Sequence, residues 1–233
     1  MLPTRILQDA GTFQKSIISW YGSNGRTFPW RQTQDPFKVL IAEVILKLTG
    51  AWKAQQAYEC LVAKYGTPER MANASLPELT EAFRPLGLHK RAKLLIDIAN
   101  ELNLRFRGSV PKSYDELVSV RGIGQYTANA ILCLAYGEHV PLVDGSVSRV
   151  FRRCFGYPTN KEAYADKELW LLAFELLPNK GYREYNLGLL DIGALVCKHV
   201  KPRCSECPIS AICIDWNSEA KGNSLEAKVD IAW

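Results

Sequence analysis

The stretch of sequence from Leu117 to Val150 decides the fold and reads LVSVRGIGQYTANAILCLAYGEHVPLVDGSVSRV. Apolar residues recur at three- and four-residue spacing on both sides of Gly122-Ile123-Gly124, which predicts two helices joined by a tight turn. Two glycines let the backbone turn sharply and present successive N–H groups at the start of the second helix, where a phosphate can bind. Taken alone, a Gly-x-Gly turn is more often a plain connection between helices.

The same helical spacing continues along most of the chain and predicts an all-α protein. Short segments separated by Gly and Pro fit a compact helical globule better than a coiled coil or a solenoid. The predicted helices are Phe13–Tyr21, Phe37–Leu48, Ala54–Lys64, Leu76–Phe83, Lys90–Leu104, Tyr114–Val120, Tyr126–Tyr136, Val147–Phe155, Lys167–Leu177 and Tyr185–Val196.

Composition excludes several classes of protein. The chain has 233 residues, of which 47% are hydrophobic, enough for a packed core and too many for a chain disordered throughout. No apolar run approaches the ~20 residues that span a bilayer, and Asp9 and Lys15 interrupt any signal-peptide core. We therefore expect a cytoplasmic protein, nucleoid-associated if prokaryotic, without a membrane partner. The net charge of +5 is compatible with nucleic acid but does not identify it.

Four of the seven cysteines crowd together near the C-terminus with the spacing C-x6-C-x2-C-x5-C. They are Cys197, Cys204, Cys207 and Cys213. Four thiolates from one short loop can hold a tetrahedral metal ion or the corners of an iron–sulfur cube. A single C-x2-C pair favours a [4Fe-4S] cluster over zinc, which usually uses two close pairs, although zinc stays open. The other three cysteines, Cys60, Cys133 and Cys154, lie in apolar surroundings and are expected to be buried.

Together, the hairpin, the loop Pro141–Asp144 and the four cysteines resemble the helix-hairpin-helix DNA glycosylase superfamily. The resemblance is to its endonuclease III and mismatch-glycosylase branches and extends from Phe28 to Cys213. It implies an all-α, two-lobed fold with a C-terminal iron–sulfur cluster loop. One helical lobe would comprise residues 30–142 with the hairpin. The other would comprise residues 1–29 and 143–233 with the [4Fe-4S] cluster.

The resemblance assigns catalysis first to Asp144. Cleavage of an N-glycosidic bond builds positive charge on the deoxyribose, and a fixed carboxylate stabilises that charge and orients the attacking water. The alternative is that Asp144 only caps the helix beginning near Ser146. Mismatch-glycosylase relatives often carry Asn at the position of Ser146.

Glu43 is the second catalytic candidate. It lies in the predicted helix Phe37–Leu48, which is apolar on nearly all sides. In the family, a glutamate here faces the flipped base and handles its proton, and apolar surroundings would raise its pKa as a general acid requires. The alternative is an exposed ion pair between Glu43 and Lys47. Adenine-specific relatives carry Gln-Gln where this chain has Lys47-Leu48, which disfavours adenine as the substrate.

Tyr126 stands where bifunctional members of the family place a lysine that attacks the sugar and permits strand cleavage. A phenol cannot form an imine, so base removal without lyase activity is expected. Tyrosine here resembles the archaeal-type thymine-DNA mismatch glycosylases, which remove thymine or uracil opposite guanine. The alternative is an ordinary core aromatic residue.

The expected partner is double-stranded DNA with a mismatched base, bound by a monomer. Leu88 would fill the gap left by the flipped base, and Lys90 and Arg91 would reach phosphates. The DNA-contacting residues are expected to be Lys47, Leu88, Lys90, Arg91, Gly122, Gly124 and Gln125.

Two other functions remain open. One is an adenine-DNA glycosylase acting opposite guanine or 8-oxoguanine, although the chain ends near residue 233 without the further C-terminal domain typical of those enzymes. The other is a non-catalytic iron–sulfur protein that binds DNA as a redox sensor.

Overall fold

The structure is a computed structural model that describes residues 4–46, 51–84, 89–159 and 161–220. These residues form thirteen α-helices and no strand, which confirms the all-α prediction for the described part of the chain. The helices are α1 (Thr4–Asn24), α2 (Pro29–Gln32), α3 (Pro36–Leu46), α4 (Ala51–Tyr65), α5 (Pro68–Ala72), α6 (Leu76–Phe83), α7 (Lys90–Phe106), α8 (Tyr114–Ser119), α9 (Gln125–Leu134), α10 (Gly145–Phe155), α11 (Lys167–Glu175), α12 (Tyr182–Leu195) and α13 (Ile214–Ala220). Among the described helices, none is both long and apolar enough to cross a membrane.

The chain forms two compact units. One is Thr27–Glu138, and the other combines the described residues up to Arg26 with those from His139 onward. The hairpin α8–α9 belongs to the first unit, and the four clustered cysteines belong to the second.

In the first unit, α3 is the central helix. It packs against α4, α7 and α9, and only its ends escape burial. A helix that is apolar all round must be buried on every side, which explains why α3 lacks a polar face. The burial of Glu43 in this helix is unusual, since charged residues are rarely found in a protein core.

In the second unit, α1 lies along α12, and α10 packs against α12 and α13. Phe13 of α1 contacts the rings of Phe151, Phe155 and Tyr185, with centroid distances of 4.8–6.1 Å. A Cβ at Gly188 would lie 2.7 Å from Cγ2 of Ile17, so the close approach of α1 to α12 requires glycine there.

Every predicted helix has a counterpart in the structure, but three observed helices were not predicted. These are α2, α5 and α13, which are only 4, 5 and 7 residues long. Helices of one or two turns show too little periodicity to be recognised. Pro29 and Pro68 each stand at the first position of a helix, where proline is favoured although it is also frequent in turns.

Candidate functional site

The turn between α8 and α9 has the tight geometry that the sequence predicts. Gly122 has φ +99°, and a Cβ there would lie 2.6 Å from Cδ1 of Leu94 on α7. The positive φ therefore favours glycine at this position, and a Cβ would also force the end of the Leu94 side chain to shift. Arg105 of α7 also holds the hairpin, because it donates to Oγ of Ser119 at 2.8 Å.

Gly124 is different from Gly122. It has an extended backbone with φ −94°, and apart from its chain neighbours no atom of the described residues lies within 4 Å of the position of a Cβ. It is the N-cap of α9, where no side chain caps the helix. Uncapped N–H groups beside open space are what a phosphate needs at a helix N-terminus.

Gln125 and Tyr126 form the first turn of α9 and are partly exposed, whereas Thr127–Leu134 are buried. Tyr126 is therefore not enclosed in the core like the residues that follow it. Helix α9 packs against α3, so the helix of Tyr126 and the helix of Glu43 are neighbours within the first unit.

Glu43 lies in the buried part of α3 with 7% of its surface exposed. This burial does not fit the alternative of an exposed ion pair with Lys47, which lies outside the described residues. A carboxyl group among apolar side chains is costly in the folded state, and such groups are commonly kept for function.

The predicted DNA contacts near residue 90 are only partly described. Leu88 lies outside the described residues, and Lys90 is exposed at the start of α7. Arg91 donates from Nη1 to the carbonyl oxygens of Val44 at 2.7 Å and Ile45 at 3.2 Å, and burial lowers its pKa. Arg91 therefore binds the backbone of the C-terminal end of α3, at the two residues that follow Glu43. Its contact with phosphate remains a prediction.

Asp144 is the N-cap of α10. Its Oδ1 accepts hydrogen bonds from the backbone N–H of Ser146 and of Val147, both at 2.8 Å, and from the Ser146 hydroxyl at 2.7 Å. Its other oxygen, Oδ2, accepts no hydrogen bond from the residues that the structure describes. Asp144 therefore caps α10 through one carboxylate oxygen.

Two residues of α12 hold this aspartate in place. Asn186, which is 1% exposed, accepts from the N–H of Leu142 at 3.1 Å and donates to the carbonyl oxygen of Val140 at 2.9 Å. These bonds fix the loop that leads to Asp144. A Cβ at Gly193 would lie 2.7 Å from Oγ of Ser146, so α12 touches the start of α10 at that residue.

The four clustered cysteines surround a cavity of about 140 Å³ in the second unit. Its walls include Val150, Val196 and Ile209, and all four cysteines are partly buried. No three His, Cys, Asp or Glu side chains in the described ranges are arranged to hold a single metal ion. A cubane instead takes one thiolate at each of four corners around a space, and a cavity lined by four soft sulfur ligands fits that group.

Two arginines of α10 bind this cysteine loop. Arg153 donates from Nη1 to Sγ of Cys197 at 3.5 Å and to the carbonyl oxygen of Lys198 at 2.7 Å. Arg149 donates to the carbonyl oxygens of Cys197 and Gly193, both at 2.8 Å. Positive charge here would offset the negative charge of four ligating thiolates, so these contacts also fit an anionic cluster.

Cys154 is a fifth cysteine on the same cavity. It is 1% exposed at the C-terminal end of α10, and its thiol is hydrogen-bonded to Cys213. This bond lowers the pKa of Cys213 to about 7, whereas the same bond and burial raise the pKa of Cys154 well above its usual value. Burial raises the pKa of Cys207 to about 11.

The other two cysteines outside the cluster differ from each other. Cys133 is buried as predicted, but Cys60 is exposed, so that prediction was wrong for Cys60. Cys60 lies outside the buried face of α4, on the part of the helix that is exposed.

Comparison with known proteins identifies the family. The sequence profile of HhH-GPD superfamily base excision DNA repair proteins matches residues 41–173. Thymine-DNA glycosylase of Aeropyrum pernix is 35% identical over 88% of this chain and 95% of that protein. Thymine/uracil-DNA glycosylase of Pyrobaculum aerophilum is 37% identical over 87% of this chain and 90% of that protein. The solved structure of a thermostable thymine-DNA glycosylase superposes with a TM-score of 0.86 at 32% identity, and the match covers 91% of this chain and 98% of that one.

Proposed function

Because this chain belongs to the HhH-GPD superfamily of base excision DNA repair proteins, we propose that it is a monofunctional DNA glycosylase for thymine or uracil mispaired with guanine. The resemblance inferred from the hairpin and the cysteines is confirmed at the level of the family. The proposed substrate rests on the similarity, over nearly nine-tenths of the chain, to proteins named thymine-DNA glycosylase and thymine/uracil-DNA glycosylase. The geometry of Asp144 supports the reaction.

Asp144 stabilises the sugar. As the bond to the base breaks, positive charge develops on the deoxyribose, and a carboxylate held in advance lowers the energy of that state without having to reorient. Three hydrogen bonds to Oδ1 hold the carboxylate rigidly. Oδ2 then faces the reacting sugar or orients the attacking water.

Glu43 handles the proton of the departing base. A pyrimidine leaves more easily when its negative charge is neutralised, and a buried carboxyl group on α3 suits a general acid because it is shielded from water. Tyr126, on the neighbouring helix α9, contacts the nucleotide but supplies no amine. The product is therefore an intact strand with an abasic site.

The hairpin binds DNA through its backbone. The open space at Gly124 and the uncapped start of α9 support a phosphate contact there, with Gln125 beside it. Lys90, Arg91, Lys47 and the wedge residue Leu88 complete the proposed contacts. The backbone contacts are independent of sequence, as a repair enzyme that searches DNA requires.

Cys197, Cys204, Cys207 and Cys213 hold a [4Fe-4S] cluster in this proposal. When bound, the cluster supplies a rigid, anionic centre that fixes the loop around it, and Arg149 and Arg153 orient that loop from α10. The basic side chains between the first two cysteines then face phosphates.

The substrate proposal is tested with end-labelled duplexes that carry T, U or A opposite G, or A opposite 8-oxoguanine, and with a control duplex that carries T opposite A. Each is incubated under single-turnover conditions, and abasic sites are then cleaved with alkali. We expect release of T and U opposite G and no release of T paired with A. Release of A alone would favour the adenine glycosylase, and no release from any duplex would favour the non-catalytic redox protein.

The cluster proposal is tested by metal analysis of protein purified without air. About four irons per chain are expected, and one zinc without iron would contradict the proposal. Cys204→Ser should lose iron, whereas Cys60→Ser, at an exposed cysteine outside the cavity, should keep it.

A further inference from the structure

Trp52 lies in the first turn of α4 and has 70% of its surface exposed. The aromatic residues around it are buried, since Phe28, Trp30 and Tyr58 are 1%, 4% and 3% exposed. Leaving an indole in water is unfavourable, and an exposed aromatic ring beside buried ones is typical of a contact surface. The proposed reaction does not use this ring.

The indole of Trp52 is held in place by a column of rings within the first unit. Its centroid lies 5.1 Å from that of Phe28 at an interplanar angle of 66°, and Phe28 stacks on Trp30 at 4.7 Å and 9°. Trp30 in turn contacts Tyr58 edge-on at 5.3 Å. A ring that is already fixed loses little conformational freedom when a ligand binds, so its contact area contributes fully to affinity.

Trp52 follows closely after the end of α3, where other proposed DNA contacts meet. Arg91 donates to the carbonyl oxygen of Val44 at 2.7 Å, and Lys90 beside it is exposed. Helix α4 packs against α3, its first turn contains no acidic residue, and Lys53 next to the indole is exposed. These surroundings suit a polyanion such as DNA.

We propose that Trp52 stacks on an unpaired base at the mismatch. The proposal rests on the proposed glycosylase function and adds a DNA contact that the hairpin and the catalytic residues do not include. Flipping one nucleotide out of a duplex leaves two bases without their pairing and stacking partners. An aromatic side chain replaces part of the lost stacking, whichever base is present.

The size and chemistry of the ring favour a base over a phosphate or a protein partner. Phosphates are bound by cations and N–H groups, and the indole offers one N–H and a large apolar face. A stable protein interface needs about 800 Å² of surface on each partner, of which one indole supplies at most about 250 Å². A single base needs no more than the ring itself.

The experiment compares binding to two duplexes by fluorescence anisotropy at three salt concentrations. One duplex carries G opposite a thymidine with fluorine at C2′, which disfavours positive charge on the sugar and so prevents excision. The other carries A opposite the same thymidine. Trp52→Leu keeps an apolar side chain over Phe28 but no ring, Trp52→Phe keeps a ring, and Leu104→Ala removes an exposed apolar side chain of α7. Thermal unfolding and sedimentation velocity are measured on the same preparations.

We expect Trp52→Leu to weaken binding to the duplex with G opposite T about fivefold or more and to change binding to the duplex with A opposite T little. The dependence of affinity on salt should stay that of the wild type, because stacking neutralises no phosphate. Trp52→Phe should lie between Trp52→Leu and the wild type, and Leu104→Ala should match the wild type.

Wild-type affinities in Trp52→Leu would overturn the proposal. An equal loss on both duplexes with a weaker salt dependence would also overturn it, because the contact would then be to the backbone. A lower sedimentation coefficient in Trp52→Leu than in the wild type would identify the ring as an interface between copies of the chain and would equally contradict stacking on DNA. Wild-type protein that releases neither thymine nor uracil opposite G would instead refute the proposed function, so the two failures are distinguishable.

Discussion

Ser146 donates its hydroxyl to Oδ1 of Asp144 at 2.7 Å, and it does so from the position where α10 meets Gly193 of α12. The serine is therefore held on one side by the carboxylate and on the other by the backbone of a different helix. A hydroxyl here fills the role of hydrogen-bond donor to the aspartate that an amide side chain would also fill. The position of the Asp144 carboxylate thus depends on how closely α10 and α12 approach each other.

Gly193→Ala should lower the excision rate about tenfold or more. The new Cβ would lie 2.7 Å from Oγ and 2.8 Å from Cβ of Ser146, so α12 or the start of α10 must move, and small displacements of a catalytic group are costly. The measurement is the single-turnover rate, with thermal unfolding in parallel. Gly11→Ala is the matched control, because among the described residues no atom beyond its chain neighbours and its own helix backbone lies within 4 Å of a Cβ placed there. Equal rates for both variants would show that the contact does not position Asp144.

Asp144→Asn should keep the affinity for mismatched duplexes and lose about 10²-fold or more in excision rate. The amide oxygen can still cap α10, so the fold and the hairpin contacts are preserved, while the negative charge beside the sugar is lost. Binding is measured by fluorescence anisotropy, and excision is measured under single-turnover conditions. A near-normal rate would remove Asp144 from the mechanism.

Wild-type protein should leave unbroken abasic strands, and borohydride should trap little covalent complex, because Tyr126 offers no amine to the opened sugar. Tyr126→Lys should gain measurable trapping and strand cleavage. Tyr126→Phe serves as the control that changes the residue without adding an amine. Efficient trapping by the wild type would mean that a different amine reaches the sugar.

Tyr185→Phe should leave the free energy of unfolding unchanged or raise it by about 1 kcal/mol. Its hydroxyl is buried, and in the described part of the chain it has no hydrogen-bond partner, so its removal eliminates an uncompensated polar group. Tyr157→Phe is the contrasting variant, because the Tyr157 hydroxyl donates to Asp166 at 2.8 Å, and it should lower stability by about 1–3 kcal/mol. Urea unfolding measures both, and a marked loss of stability in Tyr185→Phe would contradict the expectation.

The long helices could be predicted from sequence because each buries an apolar stripe. The hairpin could be predicted in the same way, since the turn itself imposes the positive φ that favours glycine at position 122. The cysteine cavity could be anticipated for the same reason, because four of its thiols lie in one loop.

The supports of the site could not be predicted in this way. Asn186, Gly193 and Cys154 act through contacts with residues far away in sequence, and nothing local marks them. An asparagine and a glycine in the middle of α12 were the available signal, since both residue types are unfavourable inside a helix unless they serve a contact. Cys154 was predicted only to be buried, since Val150 and Phe151 lie one turn before it on α10.

The two glycines of the hairpin are there for unrelated reasons. At position 122 the positive φ strains any other residue, and a Cβ would also displace the end of the Leu94 side chain, whether or not DNA is bound. At position 124 the backbone is ordinary and no described residue beyond the chain neighbours occupies the space of a Cβ, so this part of the fold tolerates a side chain. A library of hairpin variants sorted only for folded protein would keep the first glycine and lose the second. Sorting the same library for duplex binding would keep both.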